Sequence, residues 1–202
     1  MNRKYFSIDS KSEGIYKEKG SKFIAFAFPV ETEDEIKLQL DLLKKEYFDA
    51  RHICYAYRLG ENGEKFRAND DGEPNHTAGT PILNQLKSLD LSDVLVAVVR
   101  YFGGTKLGVS GLINAYKLST QEALQQAVKV EKIPVTTITL SFEYQELNEA
   151  MKLIKKFECK IINQTYDNSK SSIDLQIPLE FTTLLENEIV QFSNLGSSLE
   201  IV

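Results

Sequence analysis

A chain of 202 residues that is 42% hydrophobic and 26% charged, with a net charge of −5, has the balance of a folded water-soluble protein with room for one large domain or two small ones. Only two cysteines are present, Cys54 and Cys159, which excludes a disulfide framework and a four-ligand zinc site and reads as buried free thiols. The start is polar, and no apolar run approaches the roughly 18 residues of a membrane span, so neither a leader nor a membrane helix is expected and the protein reads as cytoplasmic.

Elements follow in chain order. Glu13 to Val30 reads as a strand pair or one long bent strand, rich in Phe and Ile and closed by Pro29. Thr32 is an N-cap for a helix over Glu33 to Tyr47, with Glu35 completing a capping box. His52 to Leu59 alternates as a strand, and Asn62-Gly63 turns it into a partner at Glu64 to Ala68. A helix over Thr77 to Leu89, capped by Thr77 or Asn75, leads to a polar-free strand at Val94 to Val99 that must be covered on both faces. Leu107 to Lys129 reads as a long helix.

After Pro134 the pattern changes. Strand periodicity at Val135 to Phe142, helical spacing at Gln145 to Phe157 and a strand at Cys159 to Tyr166 lead to a turn at Asp167 to Lys170. A strand at Ser172 to Leu179, a helix at Phe181 to Phe192 and a strand at Gly196 to Val202 close the chain. The order βαββαβ predicts a ferredoxin-like domain over 133–202, following a first domain over 1–132. Charge divides at the same place. Residues 1–132 hold 19 Lys+Arg and 19 Asp+Glu, whereas 133–202 hold 5 and 10, so the second domain repels a phosphate backbone. Lys152, Lys155 and Lys156 share one helical face there, and a charge run on a helix is usually a solvated face.

Two segments carry candidate chemistry. In VLVAVVRYFGGTKLGVSGLIN, Val94 to Asn114, a buried strand meets a helix through a loop with Gly103, Gly104, Gly108 and Gly111, flanked by Arg100 and Lys106. Glycines that admit positive φ, followed by a helix start, are the parts of an anion site. Equally, they permit a tight turn and close packing, and Arg100 beside Tyr101 and Phe102 has either a structural carboxylate or a ligand as partner. The Walker A order fails because Val109 and Ser110 follow Gly108, and the dinucleotide fingerprint fails on spacing. The nucleophile elbow lacks its last glycine at Leu112, and no base partner for Ser110 is identifiable.

The second segment is NDDGEPNHTAGTP, Asn69 to Pro81. Asp70, Asp71, Glu73 and His76 are dense enough to suggest a cation, but the spacing fits neither the EF-hand nor zinc, and turn formation with helix capping accounts for the same residues. His52 and His76 are either acid–base groups or packed, hydrogen-bonded side chains. No metal and no cofactor are expected.

HICYAYRLG, NDDGEPNHTAGTPIL and VVRYFGGTKLGVSGLINAY, in that order, resemble the signature segments of the YigZ/IMPACT family over roughly residues 17 to 129. The resemblance implies an α+β first domain like the second domain of a small-subunit ribosomal protein, with a left-handed βαβ crossover that periodicity cannot reveal. It implies a second domain similar to the C-terminal domain of elongation factor G. Asn75-His76 departs from the family pattern, where small residues are usual. Eukaryotic members carry an additional N-terminal domain absent here, so their kinase-regulating role does not transfer; what the resemblance leaves is a link to translation, by analogy of fold.

Two functions from different classes follow. One is a non-enzymatic binding protein that meets RNA, the ribosome or a translation-related protein through the two loops. Its expected contact residues are Arg58, Arg67, Asp71, Glu73, Thr80, Arg100, Tyr101, Gly103, Gly104, Lys106 and Gly108, with Tyr57, Phe66 and Phe102 available to stack. The other is a small-molecule enzyme or phosphometabolite binder using the same loops, which requires that 69–81 and 100–111 line one cleft.

Overall fold

The computed structural model describes residues 4–167 and 170–202. Asn168 and Ser169, at the centre of the turn expected after Tyr166, lie outside the described residues. The fold is α+β, and the chain divides into two compact units, one over Tyr5–Lys132 and one holding Ile133–Val202.

The first unit runs β1 (Tyr5–Ile8), β2 (Ser12–Glu18), β3 (Ser21–Pro29), α1 (Glu33–Glu46), β4 (His52–Leu59), β5 (Lys65–Asn69), α2 (Gly79–Ser88), β6 (Val94–Tyr101), α3 (Gly108–Gln126) and β7 (Lys129–Lys132). Five strands form one antiparallel sheet in the order β2-β3-β6-β4-β5. The segment from Glu13 to Val30 is thus a hairpin, turned at Lys19-Gly20 with both residues at positive φ. Strands β3 and β4 flank β6 and run parallel to each other, so α1 is the crossover between them.

Strand β6 is central because both of its faces are apolar. Val94, Val96 and Val98 pack with Ile82 and Leu86 of α2 and Leu112, Ala115 and Tyr116 of α3. Leu95, Ala97 and Val99 pack with Ile36, Leu40 and Leu43 of α1. Each Val, Leu or Ile among these contributes about 1.5–3 kcal/mol by leaving water, and a period of two places Arg100 on the α2/α3 face and Tyr101 on the α1 face.

The α1 start has the expected N-cap, with Glu35 N donating to Thr32 Oγ1 at 3.2 Å, but the Glu35 carboxylate reaches one residue further back than a capping box requires and accepts from Glu31 N at 2.6 Å. Three boundaries differ most from expectation: the last strand, expected over Gly196 to Val202, is confined to Glu200–Ile201, and the other two lie in the first unit. Helix α3 stops at Gln126, because Ala127 turns extended at φ −75° and ψ 138°. Lys129–Lys132 then pairs as β7 with β1 in a separate two-stranded ribbon. Helix α2 begins at Gly79 rather than Thr77, and its cap comes from neither Thr77 nor Asn75 but from Asp70 across the loop.

The second unit runs β8 (Val135–Glu143), α4 (Leu147–Lys156), β9 (Lys160–Tyr166), β10 (Lys170–Pro178), α5 (Thr182–Asn194) and β11 (Glu200–Ile201), with a 3-10 turn before each helix. Its antiparallel sheet has the order β11-β8-β10-β9. Leu140, Phe142, Ile173, Leu175 and Ile177 form one face, covered by α4 and α5. The opposite face is polar, with Asp174 accepting from Thr139 Oγ1 at 2.8 Å and Asn163 Nδ2 at 3.4 Å.

Candidate functional site

Pairing of His52 with Arg100 brings the start of β4 beside the end of β6. The loops leaving those strands therefore meet at one edge of the sheet. A cleft of about 450 Å³ opens there between Arg51, His52, Glu73 and Pro74 on one side and the segment from Phe102 through Lys106 to Leu112 on the other. The two candidate loops converge on it, through Glu73 of the first and Arg100, Lys106 and Gly108 of the second.

A buried polar network lies beneath the cleft. Arg100 Nη1 donates to Glu73 Oε1 in an ion pair whose side chains are only 8% and 4% exposed. Tyr116 reaches the same oxygen, its hydroxyl donating at 2.9 Å. Cys54 Sγ lies 3.2 Å from that hydroxyl and 3.0 Å from the Asp70 carbonyl. Burial raises the Tyr116 pKa, and neighbouring Cys54 and Glu73 raise it further, so the phenol keeps its proton and donates it to the carboxylate. Burial likewise holds Cys54 as the thiol. Arg100 Nε is buried with no partner among the described residues, and the guanidinium carbon sits 5.4 Å from the Phe23 ring centroid and 5.8 Å from that of Phe102.

Above this network the cleft is cationic. Among the described residues neither Arg51 nor Lys106 has an ion-pair partner. The first turn of α3 holds no acidic residue and no side-chain cap, and its Gly108 and Val109 line the cleft, so the partial positive charge of a helix start lies at the cleft. Three cations thus face one carboxylate, and that carboxylate is already bonded.

The acidic loop has its own structural work. Asp70 Oδ1 accepts from the amides of Ala78 and Gly79 at 2.9 and 2.8 Å, and Oδ2 from His76 N at 2.9 Å. Asp71, at φ 42°, accepts from Ile53 N at 2.7 Å, while its carbonyl meets His52 Nδ1 at 2.7 Å. His76 Nδ1 lies 3.1 Å from Thr80 Oγ1. With these carboxylates occupied, no group of three or more His, Cys, Asp or Glu among the described residues is arranged to hold a metal.

Several expected contact residues are not brought together. Arg58 stands opposite Val94 at the far end of β6, where it donates to the carbonyls of Leu91 at 2.8 Å and Asn62 at 3.1 Å. Arg67 pairs with Tyr57 and lines a different depression, beside Glu33 and Tyr55 on the α1 face. Tyr101 points to that face too and donates to Asp49 Oδ1 at 2.7 Å. Gly103 is a packing glycine: a Cβ there would lie 1.9 Å from the Gly20 carbonyl carbon. Gly104 and Gly108 hold φ of 86° and 72° in open space, the left-handed turn that aims α3 at the cleft. Asp71 and Thr80 stabilise the loop without lining the cleft. Arg51, Pro74, Val109 and Tyr116 were not expected; Gly108, Leu112 and Tyr116 recur at i, i+4 and i+8, a spacing that puts all three on one helical face.

The geometry defines a two-unit α+β protein whose first unit carries a cation-lined, ligand-sized cleft. Residues 19–124 match the protein-family model for the Impact N-terminal domain. The chain is 39% identical over 163 residues to IMPACT family member YvyE of Bacillus subtilis (strain 168), covering 77% of this chain and 75% of that one. It is 36% identical over 150 residues to IMPACT family member YigZ of Escherichia coli (strain K12), covering 73% and 74%. The crystal structure of a hypothetical protein, 29% identical, superposes with a TM-score of 0.77 over 100% of this chain and 97% of the other. The chain belongs to the IMPACT family.

Proposed function

We propose that this chain is a non-catalytic, cytoplasmic binding protein of the translation apparatus whose cleft meets RNA phosphates, on the ribosome or free of it. The observation that carries the reading is the cleft itself, where Arg51 and Lys106, neither with an ion-pair partner among the described residues, line the same volume as a helix start without a side-chain cap. Such a surface favours phosphate over an acidic protein patch, because backbone amides at a helix start fit a compact anion. Two fold assignments support the link to translation. The antiparallel sheet crossed by α1 fits the ribosomal-protein likeness of a domain over 1–132, and the strand order of the second unit fits the elongation factor G likeness of a domain over 133–202.

Binding of single-stranded RNA and of ribosomes across a salt series tests this. The logarithm of affinity should fall linearly with that of salt, and Lys106→Gln should reduce the slope by about 1 while leaving the melting temperature unchanged. Binding that ignores salt, or none at low salt, overturns the reading. A second reading, a binder of small phosphorylated metabolites, is favoured by concavity: about 450 Å³ falls within the roughly 300–1,000 Å³ of small-ligand sites.

A further inference from the structure

The lining of the cleft joins two kinds of chemistry, and their combination narrows the ligand. Arg51, Lys106 and the start of α3 are cationic or anion-favouring. Phe102, Val109 and Leu112 are apolar, with Phe102 50% and Val109 59% exposed. A bare phosphate uses only the first set and leaves Phe102 and Val109 in water. An apolar ligand uses only the second and leaves Arg51 and Lys106 without a counter-charge.

Phe102 is held for a stacking role. The Arg100 guanidinium carbon lies 5.8 Å from its ring centroid, close enough for a cation–π contact. The Glu73–Tyr116 pair beneath anchors that guanidinium in turn. The Phe102 residue as a whole is still half exposed at the cleft.

We propose that the cleft holds a single nucleotide, with its phosphate against Lys106, Arg51 and the start of α3 and its base on the Phe102 ring. This rests on the phosphate-binding reading above and sharpens it, because the nucleotide comes either from an unpaired RNA strand or from solution. Stacking tolerates any base, since every base has a π face, and a base inside a duplex has both faces covered by its neighbours and offers none to the ring.

The experiment is titration calorimetry of the full chain with uridine 5′-monophosphate, uridine, inorganic phosphate and a short single-stranded oligouridylate. The nucleotide should bind at least about tenfold more tightly than uridine or phosphate alone. Phe102→Ala, which removes an exposed ring and so leaves the fold intact, should weaken nucleotide and oligonucleotide about tenfold and leave phosphate unchanged. Uridine or phosphate binding as tightly as the nucleotide, or an indifferent Phe102→Ala, overturns the proposal. If the oligonucleotide still binds with its salt slope in that case, phosphate contact with RNA survives and only the nucleotide site falls. If the mononucleotide binds as expected and the oligonucleotide does not bind at low salt, the nucleotide site stands and the RNA reading falls.

Discussion

Two buried arginines stand on the same face of the same sheet, and only one of them serves a cleft. Arg58 faces Val94 at one end of β6, and Arg100 lies six positions further along that strand, about 20 Å away at the rise of a strand. Both have buried side chains and a buried Nε without a partner among the described residues. Their acceptors differ. Arg58 is held by the carbonyls of Leu91 and Asn62, fixed backbone that closes over it, with the exposed Asp90 carboxylate 3.7 Å away. Arg100 is held by a carboxylate on a loop, with open volume alongside. An arginine bonded to carbonyls staples segments together, whereas one bonded to a loop carboxylate sets the shape and charge of a surface.

The largest expected effect tests the carboxylate. Glu73→Ala leaves a buried guanidinium and the Tyr116 hydroxyl without their shared acceptor, which should cost about 3–5 kcal/mol of unfolding free energy in chemical denaturation. The double replacement Glu73→Leu with Arg100→Met should lose less than the single one, because it removes both charges together. A double variant less stable than Glu73→Ala would mean that the pair stabilises the fold outright, and the contrast between the two arginines would blur.

Next in size is the other end. Arg58→Met should cost about 2–3 kcal/mol by stranding the Leu91 and Asn62 carbonyls, while RNA and nucleotide affinities stay at their wild-type values. A loss of binding in a folded Arg58→Met protein would return Arg58 to the site from which the geometry removes it.

These contrasts show what the sequence could and could not convey. The valine run of β6 announced a strand covered on both faces, and the alternation after Pro134 announced βαββαβ, because both depend on local periodicity. Pairing of the acidic and glycine loops was also legible, as a condition that a ligand site would require. Grouping Arg58 and Arg67 with Arg100 failed because it depends on register: Tyr57 faces Arg67 and Arg58 faces Val94 only once β4 is aligned with β5 and β6. The capping role of Asp70 spans eight residues to Ala78, beyond the reach of local capping patterns. The β1–β7 ribbon joins the two ends of the first unit, a contact that no window along the chain contains, and its second strand begins at Lys129, where the helix was expected to end.

The smallest effect tests the sheet faces rather than its ends. Tyr101 adjoins Arg100 in sequence but belongs to the α1 side, where its hydroxyl donates to Asp49. That hydrogen bond first, and burial second, push the phenol from its ordinary value of 10.0 up to about 12. A pKa raised in the folded state contributes stability that is complete below pH 10 and is lost as pH rises through about 12. Tyr101→Phe should therefore cost about 0.5–1 kcal/mol at neutral pH, with the gap to wild type closing as the phenol ionises. Unfolding free energies of the two proteins, measured side by side up the alkaline limb, isolate this group from other tyrosines, which titrate in both. Cleft affinity should not change at any pH where both proteins are folded. If Tyr101→Phe weakened nucleotide binding as Phe102→Ala does, the sheet would not separate the two side chains, and the period-of-two argument that places Arg100 at the cleft and Tyr101 behind it would fail.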